Sequence, residues 1–439
     1  MLEVNIESLV YTGAGLGRLP DGKVIFVPGA LPGELAAVEI TADKGRYANA
    51  ALVEIVDKSP ERIDPACPHY ATCGGCPWQI INYQAQLGWK RRFVVDALTR
   101  IGKLPEADTL VSEPLASPAT WHYRNKVEFA LVADPRGRLA LGTYEAGSKQ
   151  ATPIKQCLLL PEVLSKLPET LSGVLNYALA SEATKPYRVA IRHSTNNSQT
   201  ELALYSTPSG MRRAFVAKLL GDTGHFSSIV RVLTKSDDAS RDVRKTEVLY
   251  GRGHWTERLS NFRFTVSAAS FFQVNTAVAE QMVSYVLALA NPKGKHVWDL
   301  YCGVGTFTLP LARAGASLSA VELAGSSLRD LERNLASAAL DDVVDINPGD
   351  VARVIAQPAS LTPPDLIIVD PPAAGLDAAV VDAIAASKTP ELIYVSCDPQ
   401  TLARDTARLT EHGYTLLTAR LFDLFPQTYH VETIAHFSR

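Results

Sequence analysis

At 439 residues the chain is too long for one ordinary hydrophobic core, which predicts two or three domains. Hydrophobic residues at 46% and charged residues at 20% exclude a disordered chain, and no apolar run reaches membrane-spanning length. A net charge of −3 gives no general attraction for polyanions, so any nucleic-acid surface has to be local.

The opening MLEVNIESLVYTG alternates like a strand and lacks the basic stretch and apolar core of a signal peptide, which predicts a cytoplasmic protein. Short strands are expected at residues 2–10, 23–27, 34–40 and 50–56. Turns rich in Gly and Pro separate them at 13–17, 20–22 and 28–33. The spacing predicts a small OB-like β-barrel over residues 1–59, a fold that often holds single-stranded nucleic acid without proving that it does.

Beyond Ser59-Pro60 the texture changes to a cysteine-rich loop in which Cys67, Cys73 and Cys76 have five and then two residues between them. In a reducing compartment such a group reads as metal ligands rather than disulfides. His69 keeps a zinc site open. With Cys157 as a fourth thiolate, a four-iron cluster is the other reading, and spacing alone does not choose. A radical adenosylmethionine enzyme normally has three cluster ligands at a different spacing. A helix is expected over 83–101, followed by mixed strands and helices over 110–263 without a local reaction motif. Candidate basic patches are Lys90-Arg91-Arg92, Arg124 with Lys126, and Arg212-Arg213, each read as a solvated face when taken alone.

From residue 295 the pattern becomes strand, Gly-rich turn, helix, repeated, with strands expected at 297–300, 317–322, 366–369 and 392–395. This predicts a doubly wound parallel sheet with ligands at the carboxyl ends of its strands. The first turn runs Asp299-Leu-Tyr-Cys-Gly303-Val-Gly305, and Glu322 ends the next strand, where a carboxylate can accept from two ribose hydroxyls. A dinucleotide would need a further glycine where Phe307 and Thr308 stand. Asp299 would repel a pyrophosphate and tolerate an ammonium, so S-adenosylmethionine is the favoured ligand.

Asp370-Pro371-Pro372 ends another strand on the same edge, but Ala373 follows where an amino-group methyltransferase would place a stacking aromatic. Cys397 lies just past a strand end in the polar turn Ser396-Cys397-Asp398-Pro399, an accessible position where a thiol can ionise. Carbon 5 of uracil needs such a group, because it becomes nucleophilic only after a thiolate adds to carbon 6. A base must then remove the carbon 5 proton, and Glu432 is the candidate.

Taken together, residues 21–34 (DGKVIFVPGALPGE), the CPHY and CGGC pieces, Phe272-Gln273-Val274-Asn275 and the catalytic turns resemble the RNA uracil-5-methyltransferases over nearly the whole chain. The resemblance is to members that carry an N-terminal TRAM domain and an iron-sulfur cluster and act on 23S ribosomal RNA. It implies a multidomain α/β protein: a TRAM barrel at 1–59, a central α+β iron-sulfur domain at 60–264, and a Rossmann-like class I methyltransferase domain at 265–439. Segment 79–110 is expected to pack with the last of these. The resemblance further implies a four-iron, four-sulfur cluster on Cys67, Cys73, Cys76 and Cys157. It places S-adenosylmethionine against Gln273, Tyr301, Thr306, Glu322, Asp350 and Asp370, and gives Cys397 as nucleophile and Glu432 as base. The expected partner is 23S ribosomal RNA, with transfer RNA as the alternative, and neither a membrane nor an obligate protein partner is expected. Two positions depart from the family pattern: Thr306 stands where many relatives have Asn, and Ala373 where they usually have Arg.

Overall fold

The computed structural model describes residues 2–179, 182, 185–236, 242–357 and 361–439; Met1, where the barrel is expected to begin, lies outside them. Five strands, Leu2–Leu9, Ala14–Arg18, Val24–Pro28, Leu35–Asp43 and Tyr47–Asp57, close into a barrel around Val4, Ile6, Ile25, Val27, Ala36 and Val38. Ala14–Arg18 corrects the expectation of a turn over 13–17. Its glycines signal close packing as well as turning: a Cβ on Gly15 would lie 2.7 Å from the Ala30 carbonyl oxygen.

The central domain is a seven-stranded sheet. In spatial order its strands are Val243–Gly251, Ser228–Thr234, Thr200–Ser206, Arg188–His193, Lys126–Ala133, Leu139–Tyr144 and Ala151–Pro153. Helices Leu167–Ala178 and Arg213–Gly221 bury Leu171, Leu175, Val216 and Leu220 against it. The hairpin Trp255–Leu259 with Phe262–Val266 belongs elsewhere: Trp255, Phe264 and Val266 enter the core of the C-terminal sheet together with helix Thr276–Ala290. The strand Phe262–Val266 therefore straddles the boundary expected after residue 264.

Helix Tyr83–Arg100 starts at Asn82, whose side chain caps it by accepting from the Ala85 amide at 3.0 Å. Its Val94, Ala97 and Leu98 pack into a core with Trp298, Leu300 and Tyr414 of the C-terminal domain. Lys90 Nζ donates to Asp423 Oδ1 at 2.6 Å, both side chains fully buried, which ties the helix down by an ion pair.

The C-terminal sheet has eight strands: Val344–Pro348, Ser317–Glu322, His296–Leu300, Leu366–Val369, Glu391–Ser396, Glu432–Ser438, Thr415–Phe422 and Val111–Leu115. The first five are parallel, and the inner ones are buried on both faces, as a doubly wound sheet requires, while the edge strand Val344–Pro348 is more polar and exposed. Glu432–Ser438 corrects the all-parallel expectation, since it runs antiparallel to both its neighbours. That reversal brings Glu432, the first residue of its strand, to the edge where the parallel strands end. No helix among the described residues is long and apolar enough to cross a membrane.

Most side chains of the three candidate basic patches are buried or ion-paired, with Arg92, Arg212 and Arg213 still more than half exposed. Lys90 is buried, Arg91 bonds Asp108 and the Val111 carbonyl, and Lys126 pairs with Glu128 at 2.7 Å. Arg212 and Arg213 pair with Glu182 and Glu247, and Arg124 is enclosed by protein. Long cationic side chains adjacent in sequence point to different neighbours once the chain folds.

Candidate active site

Strand His296–Leu300 runs into Tyr301, a non-glycine residue at φ +65°, and the chain reaches helix Thr308–Arg313 through Gly303 and Gly305. Such a conformation costs about 1–3 kcal/mol and persists where the surroundings enforce it, often at a ligand site. Glu322 closes the next strand and takes two backbone amides, Gly303 at 3.0 Å and Ala324 at 2.6 Å. A carboxylate has about four lone-pair positions, so both oxygens retain capacity for hydroxyls. Thr306 is half-buried in the same turn. Asp350, at the end of the neighbouring strand, caps helix Val351–Ile355 by accepting from the Arg353 amide at 3.2 Å and contributes to raising the Tyr301 pKa. Gln273 is buried where the domains meet, its carbonyl accepting from Asn125 Nδ2 at 2.8 Å.

Asp299 departs from the simple picture of a direct cation ligand. It is 1% exposed, one oxygen accepts from Thr308 Oγ1 at 2.5 Å and the other has no partner. Burial and then the charge of Glu322 push its pKa up to about 7. The same logic continues along the edge. Asp370 is raised by burial and by Asp299, and Glu432, 3% exposed, is raised well above the carboxylate range by burial and by Asp370. Cys397 comes next, its thiol pushed up to about 12 by burial, Glu432, Asp370 and Asp398 in that order. Glu322, Asp299, Asp370, Glu432 and Cys397 thus form one electrostatically coupled row. The sequence placed an ammonium beside Asp299, but not the further carboxylates Asp370 and Glu432 that share its field; a positive charge or a proton relieves their repulsion.

Cys397 sits between strand Glu391–Ser396 and helix Pro399–Glu411, half-buried rather than enclosed. The turn is fixed: Asp398 accepts from the Gln400 and Thr401 amides at 2.8 and 3.0 Å, and Ser396 Oγ donates to the Asp398 carbonyl at 2.9 Å. The barrel reaches the same turn. Tyr11 donates its hydroxyl to the Cys397 carbonyl at 3.3 Å and packs edge-on against Phe93 and Tyr429. Gly13, at φ +83°, permits this docking, because a Cβ there would stand 2.7 Å from the Tyr429 ring and 3.0 Å from Trp78 Nε1. Nothing in the short turn Tyr11-Thr12-Gly13 distinguishes it from an ordinary loop.

Cys67, Cys73, Cys76 and Cys157 line one cavity of about 350 Å³ in the central domain, together with Arg124. Backbone N–H groups point at three of the sulfurs: Gly75 at Cys73 Sγ (3.4 Å), His69 at Cys67, and Leu159 and Leu160 at Cys157. Arg124 feels the charges of Cys76 and Cys157, and its Nε has no hydrogen-bond partner. His69 Nε2 accepts from the Lys155 amide at 3.1 Å and is engaged away from the thiols. Among the described residues no three His, Cys, Asp or Glu side chains are drawn together tightly enough for a single ion.

A family model described as tRNA (uracil-5-)-methyltransferase matches residues 82–347 and 363–439, and a TRAM domain model matches residues 1–53. The chain is 33% identical to an uncharacterized RNA methyltransferase of Nitratidesulfovibrio vulgaris, over 99% of this chain and 95% of that one. It is 31% identical to the 23S rRNA (uracil(1939)-C(5))-methyltransferase RlmD of Shewanella piezotolerans, again over 99% and 95%. In architecture it matches the Pyrococcus abyssi tRNA (uracil-54, C5)-methyltransferase, solved in complex with S-adenosyl-L-homocysteine. That match has a TM-score of 0.76 and 23% identity, covering 99% of this chain and 100% of the other. The chain belongs to the tRNA (uracil-5-)-methyltransferase family, and is an S-adenosylmethionine-dependent RNA (uracil-5-)-methyltransferase.

Proposed function

We propose that this enzyme methylates carbon 5 of a uridine in 23S ribosomal RNA through a covalent adduct between Cys397 and carbon 6. The observation that carries the reading is the meeting of Cys397, Asp370 and Glu432 on one edge: Asp370 and Cys397 follow the ends of adjacent parallel strands, and the antiparallel register Ser396↔Thr433 brings Glu432 alongside. Gln273, Tyr301, Thr306, Glu322, Asp350 and Asp370 would hold S-adenosylmethionine, whose sulfonium would supply an electrophilic methyl group. The row of buried carboxylates fits a cationic ligand and would be unfavourable beside a phosphate.

Cys397 Sγ, having lost its proton to solvent, adds to carbon 6 as thiolate; the electron pair of the 5,6 double bond becomes an enolate whose carbon 5 takes the methyl group as the sulfonium S–CH3 bond breaks, leaving S-adenosylhomocysteine. Glu432 then accepts the carbon 5 proton, the double bond re-forms, and the carbon 6–sulfur bond breaks to return Cys397. Burial and Asp370 raise the affinity of Glu432 for a proton, as a base for a carbon acid requires. Asp398, Ser396 and Tyr11 keep the Cys397 turn in place. A target uridine has to leave its stack to meet this edge, at a cost of a few kcal/mol.

The cavity of the central domain is read as the seat of a four-iron, four-sulfur cluster. Four thiols, amides aimed at their sulfurs and a buried guanidinium suit a centre with delocalised negative charge. Bound there, it cross-links the loop carrying Cys67, Cys73 and Cys76 to the distant Cys157. Ribosomal rather than transfer RNA is preferred because the relative named for 23S rRNA is the more similar in sequence of the two whose substrates are named.

The deciding experiment is methyl transfer from labelled S-adenosylmethionine to ribosomal RNA, to transfer RNA and to RNA containing 5-fluorouridine. Methylation of carbon 5 in 23S RNA is expected, with a denaturant-stable protein–RNA adduct on the fluorinated substrate, because fluorine does not leave as a proton does. Glu432→Gln should accumulate the same kind of adduct on ordinary RNA. An active enzyme that forms no adduct with 5-fluorouridine RNA would rule out the covalent route.

A further inference from the structure

A second positively charged feature lies outside the reaction edge. Arg244 and Lys245 on the edge strand Val243–Gly251, Arg252 just after it, and Arg329 and Arg333 on helix Gly325–Ala338 line one open groove of about 760 Å³. All five side chains are exposed. Among the described residues the one carboxylate in its lining, Asp242, pairs with Lys235. Lys245 approaches Glu247 at 3.7 Å and Arg333 approaches Asp330 at 3.4 Å, but Arg244, Arg252 and Arg329 have no ion-pair partner among the described residues. His254, also in the lining, is held below its ordinary value by burial, by Arg333 and by Arg252.

Charges on an edge strand are ordinarily read as protection against edge-to-edge pairing, and that accounts for Arg244 and Lys245. It does not account for Arg252, Arg329 and Arg333, which come from a turn and from another domain and converge on the same concavity. Five like charges in one groove, three of them without an ion-pair partner among the described residues, raise local potential and attract an extended anion. The lining includes Ala324 and Gly325, two and three residues after Glu322 at the strand end, so the groove lies beside the sheet edge that carries the candidate reaction residues. Its position across two domains suits a long ligand more than a compact one.

We propose that this groove carries the sugar-phosphate backbone of the substrate RNA outside the target loop, extending the footprint from the reaction edge across to the central domain. The proposal rests on the RNA reading above and adds the surface that sets affinity. The contacts are to phosphate, so they position the RNA without reading its sequence.

The test compares the wild-type protein with Arg244→Ala/Arg329→Ala and, separately, Arg252→Ala, using a fluorescent oligouridylate and ribosomal RNA as probes over a salt series. Each lost phosphate contact should lower the slope of log affinity against log salt by about one, so the double variant should lose about two. KM for ribosomal RNA should rise, with kcat and S-adenosylmethionine affinity unchanged. All three residues are exposed, and an unchanged melting temperature verifies the fold; if the double variant melts lower, Arg252→Ala alone decides, with a slope change of about one. Wild-type slope and KM in variants of an enzyme that methylates ribosomal RNA would overturn the groove and leave the function standing. Reduced slopes in a protein that methylates no RNA would support the groove and sink the function.

Discussion

Five of the six cysteines in this chain fall into two settings that treat the same side chain oppositely. Burial raises the thiol pKa of Cys397 and, in the other setting, of Cys67, Cys76 and Cys157, but the neighbours differ in kind. At Cys397 they are a set of carboxylates, Glu432, Asp370 and Asp398, which oppose ionisation further. In the central cavity amide N–H groups and Arg124 favour the thiolate. A permanent ligand benefits from standing stabilisation of its anion. A nucleophile that must add to carbon 6 and leave again benefits from a thiolate formed only when the site is filled, because an over-stabilised one would be a poor attacker. At Cys397 burial and then the neighbouring carboxylates push the thiol up to about 12, so in the ligand-free protein they oppose the ionisation that its accessible turn allows.

The sharpest way to break the comparison is to remove one cysteine of each kind. Cys397→Ala should abolish methyl transfer while leaving melting temperature, iron content and RNA affinity unchanged. Cys157→Ala should lose brown colour and about four irons per chain and melt at lower temperature. Turnover by Cys397→Ala, or a fully stable colourless Cys157→Ala, would collapse the distinction.

The second test is of pH. Alkylation of Cys397, measured against Cys397→Ala as background, should be slow at neutral pH and rise as pH approaches the raised value of about 12. A raised pKa leaves little thiolate below it, so the sign is fixed. A cationic cofactor analogue such as sinefungin should shift the profile to lower pH, and S-adenosylhomocysteine, which lacks the extra charge, should shift it less. Identical profiles in both complexes would remove the role assigned to the carboxylate row.

A smaller effect is expected at Arg124. Arg124→Met should keep the iron but lower the cluster's reduction potential by tens of millivolts, since a nearby cation favours the more negative reduced state; about 59 mV corresponds to about 1.4 kcal/mol for one electron. The smallest concerns the barrel contact. Tyr11→Phe removes one hydrogen bond of 3.3 Å to the Cys397 carbonyl, worth about 0.5–1.5 kcal/mol. The expected loss in kcat is roughly two- to tenfold. No change would mean that the barrel docks without steadying the nucleophile turn.

The local pattern of the chain determined a great deal. Strands Ser317–Glu322 and Leu366–Val369 were legible to the residue, because a buried parallel strand is a short apolar run whose end is marked by the functional carboxylate. Cys397 was legible because the strand end and Asp398-Pro399 place it on the ligand edge. What only the tertiary structure decided is which distant groups share a field. Lys90 and Arg91 look like a surface patch in sequence and are tied into the interior, while Arg244, Arg252 and Arg329, far apart along the chain, meet in one groove. Tyr11 reaches the Cys397 turn from 386 positions away, and Glu432 arrives only because its strand runs antiparallel to the others. Periodicity and turn chemistry are local and can be read along a chain. Electrostatic coupling depends on separation in space, which the packing of the barrel, the two sheets and helix Tyr83–Arg100 alone sets.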